Sequence, residues 1–590
     1  MTTSAVFPAA TAEQWRRLAL AALRKSGAAA ETATPDQVDD LLASVTYDGL
    51  RIAALHTAAD LPGEFRYVRE ARAAGGWDIR QHHAGPEPGE IREAVLGDLE
   101  NGVTSLWLAV GGHSLPPAAL PEALDGVFLD LAGVVLDPGP EFVAAADAWF
   151  ALLAARGVDP RQATGGLGAD PLGWVAGTGD AAGLAGALRD AAGLAGRCVA
   201  EAPGLRAVTV DATVYHEAGG SDAEELGCAA AAGVAYLRAL TDAGLPIEAA
   251  LGQLEFRYAA TADQFATIAK LRAARRIWAQ VAEMCGAPDA GGQRQHAVTS
   301  AAMMTARDPW VNLLRTTLAS FAAGVGGADA VTVLPFDHRL GRPDAFARRL
   351  ARNTQILLVE EANVARVVDP AGGSWYVERY TEDLAHAAWD VFTGIEQAGG
   401  LAAALRSGLV ADRIASTWER REANIAHRRD PITGVSEFPN LGEELPRRRP
   451  APDRPGGGLP RRRYAEAFEA LRDRSDAHLL ATGSRPTVTL ATLGSAAASG
   501  PRVTFATNLF AAGGIAVTTD PGSAVVCLCG PDKAYAQEAA TTAVAAREAG
   551  AQRVLLAGRG DYPGVDGYVH AGGDAVAALT TVLADLGVQP

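Results

Sequence analysis

The chain is poor in cysteine. Five cysteines in 590 residues cannot build a dense disulfide framework, and their scatter suits a reducing compartment. The one close pair, Cys527 and Cys529, would share one face of a strand. No neighbouring His or Cys completes a metal tetrad, so the pair reads as two small buried hydrophobes. A basic surplus is also missing. Against 69 Asp and Glu stand 52 Lys and Arg, a formal net charge of −17. That disfavours a nucleic-acid binder and favours solubility. No run of about 18 uncharged apolar residues offers a membrane span. In the opening MTTSAVFPAATAEQWRRLAL the charges follow the short apolar part, the wrong order for a secretory signal, so the expected location is the cytoplasm. No H-E-x-x-H, G-x-S-x-G or Walker pattern occurs.

What remains is an ordinary globular composition, 48% hydrophobic and 21% charged, long enough for two to four domains at about 150 residues each. Residues 1–103 read as an N-terminal arm, with Thr11 capping a helix through Arg24 and the extended stretch TYDGLRIAALHTAADLP after it. Residues 104–377 alternate short apolar strands with helices. Strands are expected at Ser105–Val110, Gly126–Leu131, Gly166–Gly168, Ala207–Asp211, Leu254–Ala259, Ala297–Thr299, Ala330–Leu334 and Arg366–Val368, with long helices such as Ala262–Cys285 and Pro309–Ala323 between them. The pattern is weak at Gly166–Gly168 and Arg366–Val368. This is the beat of a parallel (β/α)₈ TIM barrel. Residues 378–444 read as a helical extension. Residues 445–485 form a linker whose core, LPRRRPAPDRPGGGLPRRR, argues against a packed element and for a solvated hinge. Residues 486–590 repeat strand and helix in the manner of a small flavodoxin-like, doubly wound α/β domain. One defect shows there. Between the strands Gly514–Val517 and Ala524–Leu528 lies only TTDPGS, too short for the helix that a parallel crossover needs. Either a helix is deleted or these strands are not placed as in an intact domain.

The segment His296–Glu378 carries HAVTSAAMMTARDPW, the Gly-rich helix end GVGG, RNTQ and the turn DPAGGSWYVE, in that order. In these words the chain resembles the adenosylcobalamin-dependent acyl-CoA mutases, methylmalonyl-CoA mutase above all. The likeness is best over 205–439 and weakest after 440. It implies eight barrel strands and a cobalamin-binding-like C-terminal domain, and it makes the differences informative. Members of that family carry D-x-H-x-x-G after the first C-terminal strand, where the histidine ligates cobalt. Here the loop reads LGSAAASGPRV, residues 493–503. Active chains carry a glutamine in TGTIQND and another in HSQTSGW. Here TGGLGAD places Gly168 at the first, and HAVTSAA places Val298 at the second while keeping His296, Thr299 and Ser300. Active chains carry IRQYAG at the barrel entrance. Here it is IRQHHAG, with His82 and His83. The pair Tyr215-His216 stands two residues out of register with the family's YHMQEAG, a reach of up to about 7 Å.

The resemblance therefore implies the smaller, degenerate chain of a heterodimeric mutase. It leaves no catalytic, cofactor-binding or metal-ligating residue in this chain, only a vestigial pocket of Tyr215, His216, His296, Thr299 and Ser300. Adenosylcobalamin and acyl-CoA would be held by a large catalytic partner, with this chain contributing stability and interface. A self-sufficient mutase with unusual cobalt ligation, and an unrelated use of the barrel, stand as alternatives. A channel no longer used should fill, since cavities cost stability, and apolar side chains are the expected filling.

Overall fold

The computed structural model describes residues 10–63, 76–112, 114–452 and 454–589; the opening residues read for a targeting signal lie partly outside them. Helix α1 (Ala12–Lys25) begins as expected, with Thr11 in a reciprocal capping box with Gln14. The extended stretch after it folds into a short antiparallel pairing of Ser44–Val45 with Arg51–Ile52.

Eight parallel strands close into a barrel in the order β8-β1-β2-β3-β4-β5-β6-β7. They are β1 (Asp78–His83), β2 (Ser105–Ala109), β3 (Gly133–Asp137), β4 (Gly165–Ala169), β5 (Leu205–Asp211), β6 (Leu254–Ala260), β7 (Gln295–Thr299) and β8 (Ala330–Thr332). Two expected strands are corrected. Residues 126–131 are turn: Gly126 is left-handed (φ 88°) and Phe128 and Leu131 face solvent. The strand is GVVLD just beyond, whose β-branched run is buried. Among the described residues 366–368 pair with no strand, and Val367 and Val368 are exposed. The missing strand is β1, inside the segment read as an arm. Its inward residues Arg80 and His82 are polar, which disguises it as a surface stretch.

Two motifs that carried the resemblance join elements. In RNTQ, on α6 (Ala345–Ile356), Arg352 binds Asp98 of α2 (Pro88–Leu99) at 2.5 Å and Gln355 accepts from the Trp77 indole at 3.1 Å. In DPAGGSWYVE, Asp369 and Glu378 grip the buried Arg272 of α4 (Gln264–Met284), and Ser374 caps α7 (Trp375–Gln397). The GVGG run ends α5 (Val311–Val325), where Gly324 lies so close to the Trp77 ring that a Cβ would overlap it. The long α3 (Asp222–Asp242) packs beside α4 and α7, and α8 (Leu409–Ala426) completes the helical extension.

The hinge reading of the linker is corrected. Residues 466–482 are helix α9 (Glu466–Thr482). The stretch before it is pinned to the barrel by its backbone: Arg342 N–H donates to Arg449 O, Leu459 to Ala176 O, Arg462 to Glu217 O and Tyr464 to Ala302 O. Leu459 is buried in the barrel's core. Proline and glycine here serve a strap laid across packed surface, which composition alone cannot tell from a loose hinge.

The C-terminal sheet is fully parallel. Its strands are β9 (Thr487–Thr492), β10 (Ala516–Thr518), β11 (Val525–Cys529), β12 (Arg553–Ala557) and β13 (Gly567–Val569), in the order β10-β9-β11-β12-β13. That is the flavodoxin-like order, so the strands sit as in an intact domain and the crossover helix is absent. The short crossover lies directly on β9, with Thr489 Oγ1 donating to Asp520 O at 2.8 Å and Ser523 bonding Thr487 O. A second helix is absent between β12 and β13, where residues 558–566 form a loop carrying Tyr562 onto Tyr535. Helices α10 (Ala496–Ala512) and α12 (Ala575–Asp585) cover one face, while α11 (Asp532–Glu548) packs on the other. Cys527 and Cys529 are unpaired and buried under the first face.

Candidate functional site

In a βα barrel, ligands approach the carboxyl ends of the strands, so the interior below that mouth decides what can enter. Bonds between non-neighbouring strands must cross the interior. Two layers of such bonds fill this one. In the lower layer Arg80 of β1 reaches Glu255 of β6 at 2.6 Å and Ser105 at 3.1 Å. Burial works against the Glu255 charge, yet Arg80 and Arg294 hold the carboxyl down at about 2. In the upper layer the Arg257 guanidinium lies 4.1 Å over the Trp107 ring of β2, bonds Asp211 at 2.6 Å and faces Asp137 at 3.9 Å. His82 leans on the other side of Trp107 at 4.3 Å. The channel is thus filled by charged and aromatic side chains, which corrects the expected apolar filling. The sequence did carry a signal: Glu255 and Arg257, two apart within LEFRYAA, share one face of a strand, and a charge there must be paired.

The five pocket candidates divide. His296 belongs to the axial network: Arg257 Nε donates to its Nδ1 at 3.3 Å, so its Nε2–H donates to Thr332 Oγ1 at 2.8 Å. Burial, then Arg80 and Arg257, push its pKa well below the usual range. Thr299 Oγ1 accepts from Leu334 N–H at 2.8 Å, a tie between strand ends. His216 and Ser300 meet away from that network, Nε2 to Oγ at 2.7 Å, with Glu225 at 3.7 Å on the other ring nitrogen. Glu225 and Asp222 share the buried Lys270 at 2.8 and 2.9 Å. Burial and the Lys270 charge push His216 down to about 3. Ser300 Oγ also accepts from Met303 N–H at 3.3 Å. Tyr215 is buried, and burial raises its phenol well above the usual range. The described bonds thus place His296 with Arg257 and Thr332, Thr299 with Leu334, and His216 with Ser300, in separate hydrogen-bonded groups.

Gly168 is more than a missing side chain. Its φ is 70°, β4 shifts register against β5 around it, and a Cβ there would overlap the Leu136 carbonyl. His83 does not face the axis. It points to Asp98 at 3.5 Å, and burial brings it down to about 3.

After β9, Ser495 caps α10, and Ala496, Ala497 and Ala498 are its first turn. The segment read as a loop is largely helix. It presents a hydroxyl that accepts from Ala498 N–H, then methyl groups, and these residues do not fit a histidine-ligated corrin. His570 follows β13, three strands from β9, about 14 Å at the usual strand spacing.

The family model for methylmalonyl-CoA mutase matches residues 118–482. The chain is 56% identical to the methylmalonyl-CoA mutase small subunit of Streptomyces virginiae, over 100% of this chain and 98% of that one. It is 37% identical to the small subunit of Propionibacterium freudenreichii subsp. shermanii, over 99% and 96%. A large subunit from Porphyromonas gingivalis is 35% identical over 238 residues, 40% of this chain. The motifs that build the barrel and the extent of these matches agree: the chain belongs to the methylmalonyl-CoA mutase family, among its small subunits.

Proposed function

We propose that this chain is the non-catalytic small subunit of a heterodimeric mutase. It pairs in the cytoplasm with a large catalytic subunit, which holds adenosylcobalamin and acyl-CoA and interconverts methylmalonyl-CoA and succinyl-CoA by radical rearrangement. This chain stabilises that partner. The observation that carries the reading is the Arg257–Trp107 stack, locked by Asp211, across the axis where an acyl chain would have to lie. The alanines at the start of α10 support it from the cofactor side. The test is to purify the chain alone, the large subunit alone and the pair. The pair should isomerise methylmalonyl-CoA and this chain alone should not. Paramagnetic spectra of this chain with added cobalamin should lack superhyperfine coupling from a protein imidazole. Turnover or such coupling in the chain alone would establish a self-sufficient enzyme instead.

A further inference from the structure

The anchors of the strap are not scattered over the barrel. Gly458 and Leu459 donate to Gly177 O and Ala176 O after β4, Arg462 to Glu217 O after β5 and Tyr464 to Ala302 O after β7, while Arg449 O accepts from Arg342 after β8. All five follow the carboxyl ends of strands, so the strap crosses the mouth of the barrel, above the Arg257 layer. Between the two the packing opens. Asp137 ends β3. Burial pushes its carboxyl pKa up, so it lies deep, and yet 41% of its side chain is uncovered. Both hold on the wall of an internal chamber. His82 of β1, Glu217 and His338 share that character. Each is half-buried, and burial is the main cause of each one's shifted pKa.

Arg454 of the strap faces this chamber. Its charge is felt by Asp137, Glu217, His82 and His338, which come from β3, β1 and the segments after β5 and β8. Neither Arg454 nor Glu217 makes an ion pair among the described residues. Asp137 comes only within 3.9 Å of Arg257, a guanidinium already held by Asp211 at 2.6 Å. Opposite charges thus sense each other across the chamber without touching, and a sheltered charge needs a partner. A lone anion there would leave the two carboxylates unpaired, and a lone cation would leave the arginine. A small molecule carrying both signs satisfies all three. The imidazoles add hydrogen-bonding nitrogens without charge, because burial and then Arg454 push His82 well below the usual range and His338 down to about 3. The loop that presents Arg454 is fixed. Arg461 donates to Arg454 O at 3.3 Å and to Pro455 O at 2.7 Å, and a Cβ on Gly458 would overlap Ala176 O. Arg454 is also exposed to solvent, which leaves a way in beside it.

We infer that the chamber under the strap binds a free amino acid, its carboxylate on Arg454 and its ammonium between Asp137 and Glu217. The site lies above the filled axis and involves neither cobalamin nor acyl-CoA, so it goes beyond the non-catalytic role proposed above. The test is calorimetric titration of the full chain with L-alanine and β-alanine, which differ in the span between their charges, and with acetate and ethylammonium as single-charge controls. One of the amino acids should bind at least about tenfold more tightly than either control. It should also slow amide exchange across residues 454–464, because a ligand bound to the native state opposes local opening. Arg454→Gln and Glu217→Gln remove one charge each from a side chain without an ion pair, so the melting temperature without ligand should stay that of the unchanged chain. Each should weaken amino-acid binding at least about tenfold. No binding of either amino acid, a control that binds as tightly, or full affinity in either variant would overturn the assignment.

Discussion

Gly168 separates two histories of a lost side chain. If only a glutamine had been lost, restoring it would be harmless to the fold. The left-handed backbone and the Leu136 carbonyl leave no room for a Cβ, so Gly168→Gln should cost more than about 2 kcal/mol, read as a lower urea midpoint. A variant as stable as the parent would show that the backbone has kept the older path. His216 gives a second residue-scale outcome. The unfolded chain takes its proton near 6.5, whereas burial and Lys270 hold the folded ring neutral to about 3. Its contribution to stability is therefore complete above pH 6.5 and lost as pH falls toward 3, by about 1.4 kcal/mol per unit. The ring also faces Asp222, Glu225 and Arg421, and Ser300 bonds it. His216→Gln keeps a partner for Ser300 and removes the titration, so its urea stability should fall less steeply between about pH 6.5 and 5, by one proton. Equal slopes for parent and variant would mean that the folded ring takes up the proton. At this scale the sequence showed which residues were absent, since an alanine or a valine is plain to read. It could not show that His296 would meet Arg257 while His216 met Ser300, because those pairings depend on strand ends brought together across 39 and 84 residues.

The elements explain which parts of the resemblance survive. RNTQ and DPAGGSWYVE persist here beside an altered interior because they clamp helices to one another. Arg272 is buried on α4, and its two carboxylates come from the turn before α7 and from its first turn. Arg272→Met keeps the volume and takes the cation away, stranding acids in low dielectric, which typically costs about 3–5 kcal/mol. We expect a loss of that order and faster hydrogen exchange in residues 366–378 than elsewhere in the barrel. Uniform loosening would argue against a local clamp. Strands with β-branched or apolar runs, such as β2, β5 and β12, were legible because burial on both faces leaves no alternation to disguise them. Strand β1 was not, since its inward side is charged. The absent helix before β11 was countable from six residues of spacing. The absent helix before β13 was equally countable, yet the tyrosine-bearing loop 558–566 passed unremarked because its length alone does not say which face it leaves bare.

At the scale of the molecule the strap decides whether the two halves move as one. A stretch of arginine, proline and glycine between domains invites a hinge. Here five backbone hydrogen bonds to residues 449–464, counting Gly458 N–H to Gly177 O, and the buried Leu459 hold it on the barrel. Beyond it, Ile425 and Val435 of the barrel's extension are buried in the same core as Val488 and Leu579 of the C-terminal domain. Glu469 of α9 accepts from Ala306 N–H at 2.6 Å, and Arg307 pairs with Asp473 and Asp476 at 2.5 and 2.6 Å. Proteolysis distinguishes the two pictures, because cleavage needs about ten residues of chain to leave their contacts, and its rate follows the free energy of that opening. Prolines shield the bonds after Arg449 and Arg454, whereas Arg461, Arg462 and Arg463 are followed by residues trypsin accepts. Native trypsin digestion should leave 461–464 intact until the chain unfolds globally, with the cleavage rate rising in urea in step with the main transition. Removing the anchor by Leu459→Asp should open that site early and raise the rate in buffer by more than tenfold, about 1.4 kcal/mol of local stability. Rapid cleavage of the unchanged chain into a barrel fragment and a C-terminal fragment would show a hinge, and would detach the sheet domain from any role in a rigid platform for a partner.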